Sequence, residues 1–217
     1  MIEYIILLPG WTRTRRTYKE FIAAAPQEVE IEFVNYSDLI PEGHVEIFPA
    51  RLFQHLKEKG LKKITLLGFS LGGALAFEFA LMYPEMIKKL YLVNAAGIYG
   101  KESAWEILKN QTFNLLERKG SKTFRSVRNS NMFSTSLLLN IKLGLYANRV
   151  DHRKRVVLPN FPQTTICWGE KDVVHPLWQG EEYKKLIPKS KLKVIGGGGH
   201  DWLVHRPEEF WKIFNLG

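Results

Sequence analysis

The chain has 217 residues, 45% of them hydrophobic and 24% charged, with a net charge of +9 and a sequence pI near 9.5. These values describe one ordinary globular domain, long enough to bury a good core and to carry an insertion. No apolar run reaches the roughly 18 residues that a membrane helix needs, and the single cysteine, Cys167, excludes an internal disulfide and fits a reducing cytoplasm.

In chain order, residues 4–8 are an apolar strand. No basic region precedes it, so the N-terminal stretch reads as a strand and not as a signal peptide. The strand ends at Pro9-Gly10-Trp11. A polar run over residues 12–17 and a helix candidate over 18–22 follow. Residues 29–34 alternate as a second strand, and 47–59 carry Ile47, Phe48, Leu52 and Leu56 at helical spacing before stopping at Gly60. The apolar run from Ile64 leads into Gly68-Phe69-Ser70-Leu71-Gly72. Ala, Leu and Phe at helical spacing then continue to Pro84. Strands at 89–94, 164–168 and 192–195 and helices at 176–186 and 208–214 complete the pattern. Strands alternate with helices, which predicts a mostly parallel sheet with helices on both faces. There is no internal repeat. Cys167 lies inside an apolar strand, the setting of an inert buried thiol rather than a nucleophile.

Residues 98–160 break the rhythm, with helix-like stretches at 103–116, 121–129 and 136–146 and no convincing strand. This segment holds 12 Lys and Arg against 4 Asp and Glu; the rest of the chain holds 19 against 18. Nearly all the charge imbalance therefore lies in one insertion, and its length is more than a crossover between strands requires.

Strand, very tight turn and helix are the context in which G-x-S-x-G carries a nucleophile. The turn strains the serine backbone and leaves room only for near-side-chain-free neighbours, which Gly68 and Gly72 supply. The hydroxyl of Ser70 is then pushed into the open above the sheet, over a helix N-terminus. These residues resemble the nucleophile elbow of the α/β-hydrolase superfamily, and the resemblance extends over nearly the whole chain. It implies the α/β-hydrolase fold, with a core of residues 1–97 and 161–217 and a helical cap, or lid, of 98–160 over Ser70. The usual first antiparallel strands are missing, because the sequence starts directly with the strand that leads to the oxyanion loop.

Serine needs a base beside it, and the base needs an orienting acid. The superfamily runs Ser, then Asp or Glu, then His along the chain. The resemblance therefore implies Asp172, in Trp168-Gly169-Glu170-Lys171-Asp172, as the acid, with Glu170 as its rival. It implies His200, after Gly196-Gly197-Gly198-Gly199, as the base, with His175 and His205 as local alternatives. Asp201 stands too near His200 in sequence to be the acid and suits a cap or salt bridge. The oxyanion hole is expected from the backbone N–H groups of Leu71 and Trp11. The loop reads Pro9-Gly10-Trp11 where the superfamily usually has His-Gly-x, so its anchor is open. Trp11 also stands where it can wall the acyl pocket, with Phe113, Phe124, Phe133 and Tyr146 of the cap as further lining candidates.

The expected activity is hydrolysis of a small carboxylic ester or thioester through an acyl-enzyme, with no cofactor and no metal, in the cytoplasm. Nothing in the triad selects among esters, thioesters, amides and lipids. The basic cap suits an acidic partner, and an esterase acting on groups held by acyl carrier protein, similar to the pimeloyl-carrier-protein methyl ester esterases, fits that reading. Charged helix faces that merely solvate the cap explain the same residues. A non-catalytic binder using the pocket as a receptor is a further alternative. So is a nucleic-acid binder built on Arg13, Arg15, Arg16 and Arg153-Lys154-Arg155, which rests on charge alone with no motif behind it; nucleic acid and membrane insertion are accordingly not expected.

Overall fold

A computed structural model describes residues 2–99 and 137–215. Six parallel strands form one sheet: β1 (Glu3–Leu8), β2 (Val29–Phe33), β3 (Ile64–Phe69), β4 (Ile87–Val93), β5 (Gln163–Gly169) and β6 (Lys191–Ile195). Their order is β2-β1-β3-β4-β5-β6. The chain thus starts inside the sheet, steps out to β2, recrosses β1 to β3, and then builds steadily outward. The reversal falls between β1 and β3. In open parallel sheets a crevice forms beyond the strand ends at such a reversal, and ligands bind there.

The central strands β1 and β3 are largely apolar because both their faces are covered, whereas the edge strands β2 and β6 carry Glu30, Glu32, Lys191 and Lys193. In β1, Ile5, Ile6, Leu7 and Leu8 are all fully buried. The two-residue period divides them. Ile6 and Leu8 join Leu66, Leu90, Leu92, Ile166 and Trp168 on one face, while Ile5 and Leu7 join Leu67, Tyr91, Val93 and Cys167 on the other. Helices α3 (Phe48–Glu58), α4 (Leu71–Met82) and α6 (Leu177–Leu186) pack on the first face; α1 (Lys19–Ala23), α7 (Trp202–His205) and α8 (Pro207–Asn215) cover the second. There Phe21 stacks on Trp211 at 4.8 Å and meets Phe210 edge-on at 5.3 Å. Each such pair adds about 0.5–1.5 kcal/mol beyond the area it buries. Helix α4 is apolar but for Glu78, as suits a helix largely enclosed by the core. Cys167 is fully buried and its thiol is pushed up to about 12 by that burial, the inert state its setting implied.

Most elements fall within a few residues of their sequence reading. The helix read over 136–146 runs further, as α5 (Leu137–Arg149). The polar run before α1 holds a 3-10 turn, Arg15–Tyr18. Two four-residue helices were not legible, α2 (Tyr36–Leu39) and α7; a single turn is too short to display a helical period. The stretches 103–116 and 121–129, with Phe113, Phe124 and Phe133, lie outside the described residues. From α5, Leu139 and Leu143 enter the core while Asn140 receives the Trp11 indole N–H at 2.9 Å. None of the helices of the described residues is long and apolar enough to cross a membrane.

Candidate active site

Ser70 sits between β3 and α4 with φ 54° and ψ −117°, a backbone state that L-residues rarely adopt. Its carbonyl accepts from the N–H groups of Gly73 and Ala96, each at 2.9 Å, and its own N–H donates to Val93 O at 2.9 Å. The two motif glycines are required by close approach. A Cβ on Gly68 would lie 2.7 Å from Ala76 Cβ, and one on Gly72 would lie 2.8 Å from Pro9 O and nearer still to Leu8 O. No real Cβ fits at such distances, so the elbow can form only with glycine at both places.

Three side chains from distant segments meet at the strand ends. Ser70 Oγ lies 3.1 Å from His200 Nε2, and His200 Nδ1 lies 2.7 Å from Asp172 Oδ2. Because a carboxylate oxygen accepts, Nδ1 carries the proton and Nε2 turns its lone pair toward the serine hydroxyl. The second oxygen of Asp172 accepts from the N–H groups of Val174 at 2.8 Å and His175 at 2.9 Å. These charge-assisted bonds fix the carboxylate plane. Glu170, the rival acid, is turned away, its Oε2 accepting from Gly197 N–H at 2.7 Å on the surface. His205 is exposed on α7. Asp201 binds Arg13 with both oxygens, at 2.9 and 3.0 Å, and so joins the loop after β1 to the loop that carries His200.

The loop after β1 has two tyrosine anchors in place of the absent histidine. Gly10 N–H donates to the Tyr18 hydroxyl at 3.0 Å, and the Tyr36 hydroxyl donates to Pro9 O at 2.6 Å. Both tyrosines are buried, and burial raises both phenols above their ordinary range, so they stay neutral and keep their hydrogens. The loop lies against the elbow: a Cβ on Gly10 would stand 3.4 Å from Ser70 Cβ. Among the described residues, neither the Leu71 nor the Trp11 amide donates to another backbone group in the turns and loops. Trp11 and Leu71 line one cleft of about 300 Å³ together with Ser70, Ala96, Tyr99, Gly144, Ala147, Asn148 and His175.

Tyr146 is not among those lining residues. It packs on the core near Glu78, and burial raises its phenol. The face of α5 that meets the cleft carries Gly144, Ala147 and Asn148, spaced three and four residues apart as one helix face must be. One position was missed in the sequence and another was read only as an alternative base. Asn94, with φ 42° just after β4, reaches both the His200 loop and the strand before Asp172. His175, read as an alternative base, is a buried wall of the cleft, with its ring 5.1 Å from the His200 ring. A positive φ is not readable from one asparagine, and a histidine before Pro176 gives no hint of where its ring points. Among the described residues no group of three His, Cys, Asp or Glu side chains is arranged to hold a metal ion.

An all-parallel sheet with this order, a strained serine on a strand–helix elbow and a crevice at the topological reversal define a protein of the α/β-hydrolase fold. Comparison with known proteins agrees: residues 42–139 match the family model for the alpha/beta hydrolase fold. A bromoperoxidase from Bacillus anthracis superposes with a TM-score of 0.83 over 100% of this chain and 91% of that one, at 22% identity. In sequence, the chain is 27% identical over 219 residues to a 2-hydroxy-6-oxo-6-phenylhexa-2,4-dienoate hydrolase of Burkholderia cepacia, covering 88% of this chain and 76% of the relative. It is 23% identical over 238 residues to a pimeloyl-[acyl-carrier protein] methyl ester esterase of Vibrio vulnificus, covering 95% and 90%. Of some other curated relatives the chain spans as little as 44% of the length.

Proposed function

We propose that this protein is a serine hydrolase that cleaves a carboxylic ester or thioester through an acyl-enzyme, with Ser70, His200 and Asp172 as its triad. The observation that carries the reading is the unbroken hydrogen-bond chain from Ser70 Oγ through the His200 ring to Asp172 Oδ2, at 3.1 and 2.7 Å. Ser70 Oγ attacks the carbonyl carbon while its proton passes to His200 Nε2. The carbonyl oxygen takes up the negative charge and is met by the N–H groups of Leu71 and Trp11, at the positive end of α4. Collapse of the adduct breaks the bond to the leaving alcohol or thiol, which receives the proton from Nε2. Water then repeats the sequence on the acyl-enzyme and returns the serine. Asp172 holds the imidazole in the tautomer these steps need and faces the imidazolium they create.

The cleft suits small acyl groups such as acetate or butyrate. The likeness to the Vibrio vulnificus esterase and the surplus of Lys and Arg in residues 98–160 support an acyl group borne by acidic acyl carrier protein as one physiological substrate, with the segment 98–160 as the cap that receives it. The reading also places the protein in the cytoplasm, in keeping with its one buried, reduced cysteine.

A fluorophosphonate probe should label the wild type and not Ser70→Ala, and the wild type should hydrolyse p-nitrophenyl butyrate. Labelling that survives Ser70→Ala would remove Ser70 from the role. A wild type that neither reacts with the probe nor turns over any ester would leave a non-catalytic binding protein as the better reading.

A further inference from the structure

Among the polar side chains that line the cleft, that of His175 takes no part in acyl transfer. His175 lies in its wall beside Ser70 and Leu71 and is only 3% exposed. Its backbone N–H is committed to Asp172, but its side chain has a separate arrangement. Nδ1 lies 3.1 Å from Gln179 Oε1. A carbonyl oxygen can only accept, so Nδ1 is the protonated nitrogen and Nε2 is left as an acceptor. Gln179 is itself buried, one helical turn further on in α6, with its backbone N–H held by Pro176 O at 2.9 Å. The tautomer of His175 is thus set from behind.

No described group bonds to Nε2, yet that atom is not sealed inside the protein as the buried Nε2 of His152 is. Its open side is the cleft. Burial, followed by the nearby His200, pushes the His175 pKa down to about 4, so the ring meets a ligand uncharged. A polar atom held partner-free in the cleft wall carries a desolvation penalty that a bound donor removes.

We propose that His175 Nε2 accepts a hydrogen bond from a hydroxyl group of the substrate, so that the protein selects hydroxylated esters over their deoxy counterparts. The proposal rests on the serine-hydrolase reading and names a specificity residue within it. The hydroxyl belongs either to the acyl chain or to the alcohol, and the test separates the two. Values of kcat/KM are measured for methyl 3-hydroxybutyrate against methyl butyrate, and for glycerol monobutyrate against propyl butyrate. One neutral hydrogen bond predicts a preference of about tenfold for the hydroxylated member of one pair. In His175→Leu that ratio should fall to about one, and in His175→Gln, whose amide oxygen can accept, it should be partly restored. The ratio is the readout because loss of packing alone slows both members of a pair alike. A wild type that shows no preference in either pair overturns the proposal, even if neither variant folds. A ratio unchanged in His175→Leu overturns it as well. In both cases fluorophosphonate labelling of the wild type at Ser70 leaves the hydrolase reading standing; absence of labelling and turnover would remove both.

Discussion

The side-chain amide of Asn94 donates to the carbonyl oxygen of His200 at 2.8 Å. Its Oδ1 accepts from Gly169 N–H at 2.9 Å and from the Trp202 indole N–H at 3.3 Å. One residue just after β4 therefore ties together the loop carrying His200, the strand leading to Asp172, and the short helix behind them. Its φ of 42° is tolerated better by asparagine than by most residues. Asn94→Ala should cost about 1–3 kcal/mol of stability and lower kcat on p-nitrophenyl butyrate about tenfold through looser placement of His200. Thermal unfolding and steady-state kinetics read both effects. A variant that loses stability but keeps its kcat would show Asn94 to be scaffold only.

The geometry around Asp172 makes a sharper demand. Oδ2 receives the His200 N–H while Oδ1 receives two backbone N–H groups, so all its neighbours are donors. An asparagine in its place would have to turn its NH₂ toward one of them. Asp172→Asn should lower kcat by roughly 10³–10⁴ by upsetting the imidazole tautomer, with the circular dichroism spectrum retained. A loss below tenfold would mean that Glu170 or another group takes over.

The two tyrosines behind the oxyanion loop should be felt in kcat more than in KM. Tyr36→Phe removes the donor to Pro9 O, and Tyr18→Phe removes the acceptor of Gly10 N–H. Each leaves a buried backbone group unpaired, at about 1–3 kcal/mol. The loop they hold carries the Trp11 amide, so a several-fold fall in kcat with little change in KM is expected for both. If only stability changes, Trp11 is not a donor to the transition state.

The close approach at Gly72 predicts a steric cost independent of chemistry. Gly72→Ala drives a methyl group into the end of β1. Neither wall is a flexible side chain, so the elbow must shift. A loss of about 3 kcal/mol or more is expected, lowering Tm by roughly 6–12 °C for a chain of this size. A Tm within about 2 °C of wild type would show that the turn is laxer than its contacts imply.

Acid stability follows from His175. Its folded pKa is lowered to about 4 from an ordinary 6.5, and burial of His152 lowers that group's pKa too. Between pH 6.5 and 4 the unfolded chain takes up a proton at His175 that the folded chain refuses, so folding is favoured above this window and weakened as pH falls through it. For His175 the full loss is on the order of 3 kcal/mol. Urea unfolding at pH 7.5, 6 and 5 should show stability falling with acid, and His175→Gln should flatten part of that slope. An identical slope in the variant would show that His175 does not titrate in this way.

What the sequence made legible was local chemistry. Gly68, Ser70 and Gly72 lie within five residues and declare the elbow by spacing alone. Asp172 and His200 follow strands whose apolar runs mark the sheet end where they emerge. The rest depends on partners far away in the chain: Asn94 acts on residues 75 and 106 positions further on, and Tyr36 on Pro9, 27 positions back. A lone asparagine or tyrosine carries no sign of such a partner. Tyr146 misled because its aromatic character suggested a pocket wall, whereas on α5 it belongs to the side facing the core.

The indole of Trp11 reaches Asn140 O and lies against Gly144, where a Cβ would stand 3.1 Å from the ring. The same residue owns the backbone amide that borders Ser70. Helix and loop are therefore joined through one side chain: any displacement of α5 would either break the indole hydrogen bond to Asn140 O or carry the loop after β1 with it. The position of α5 and that of the loop bordering the cleft are in this way tied to each other by a single residue.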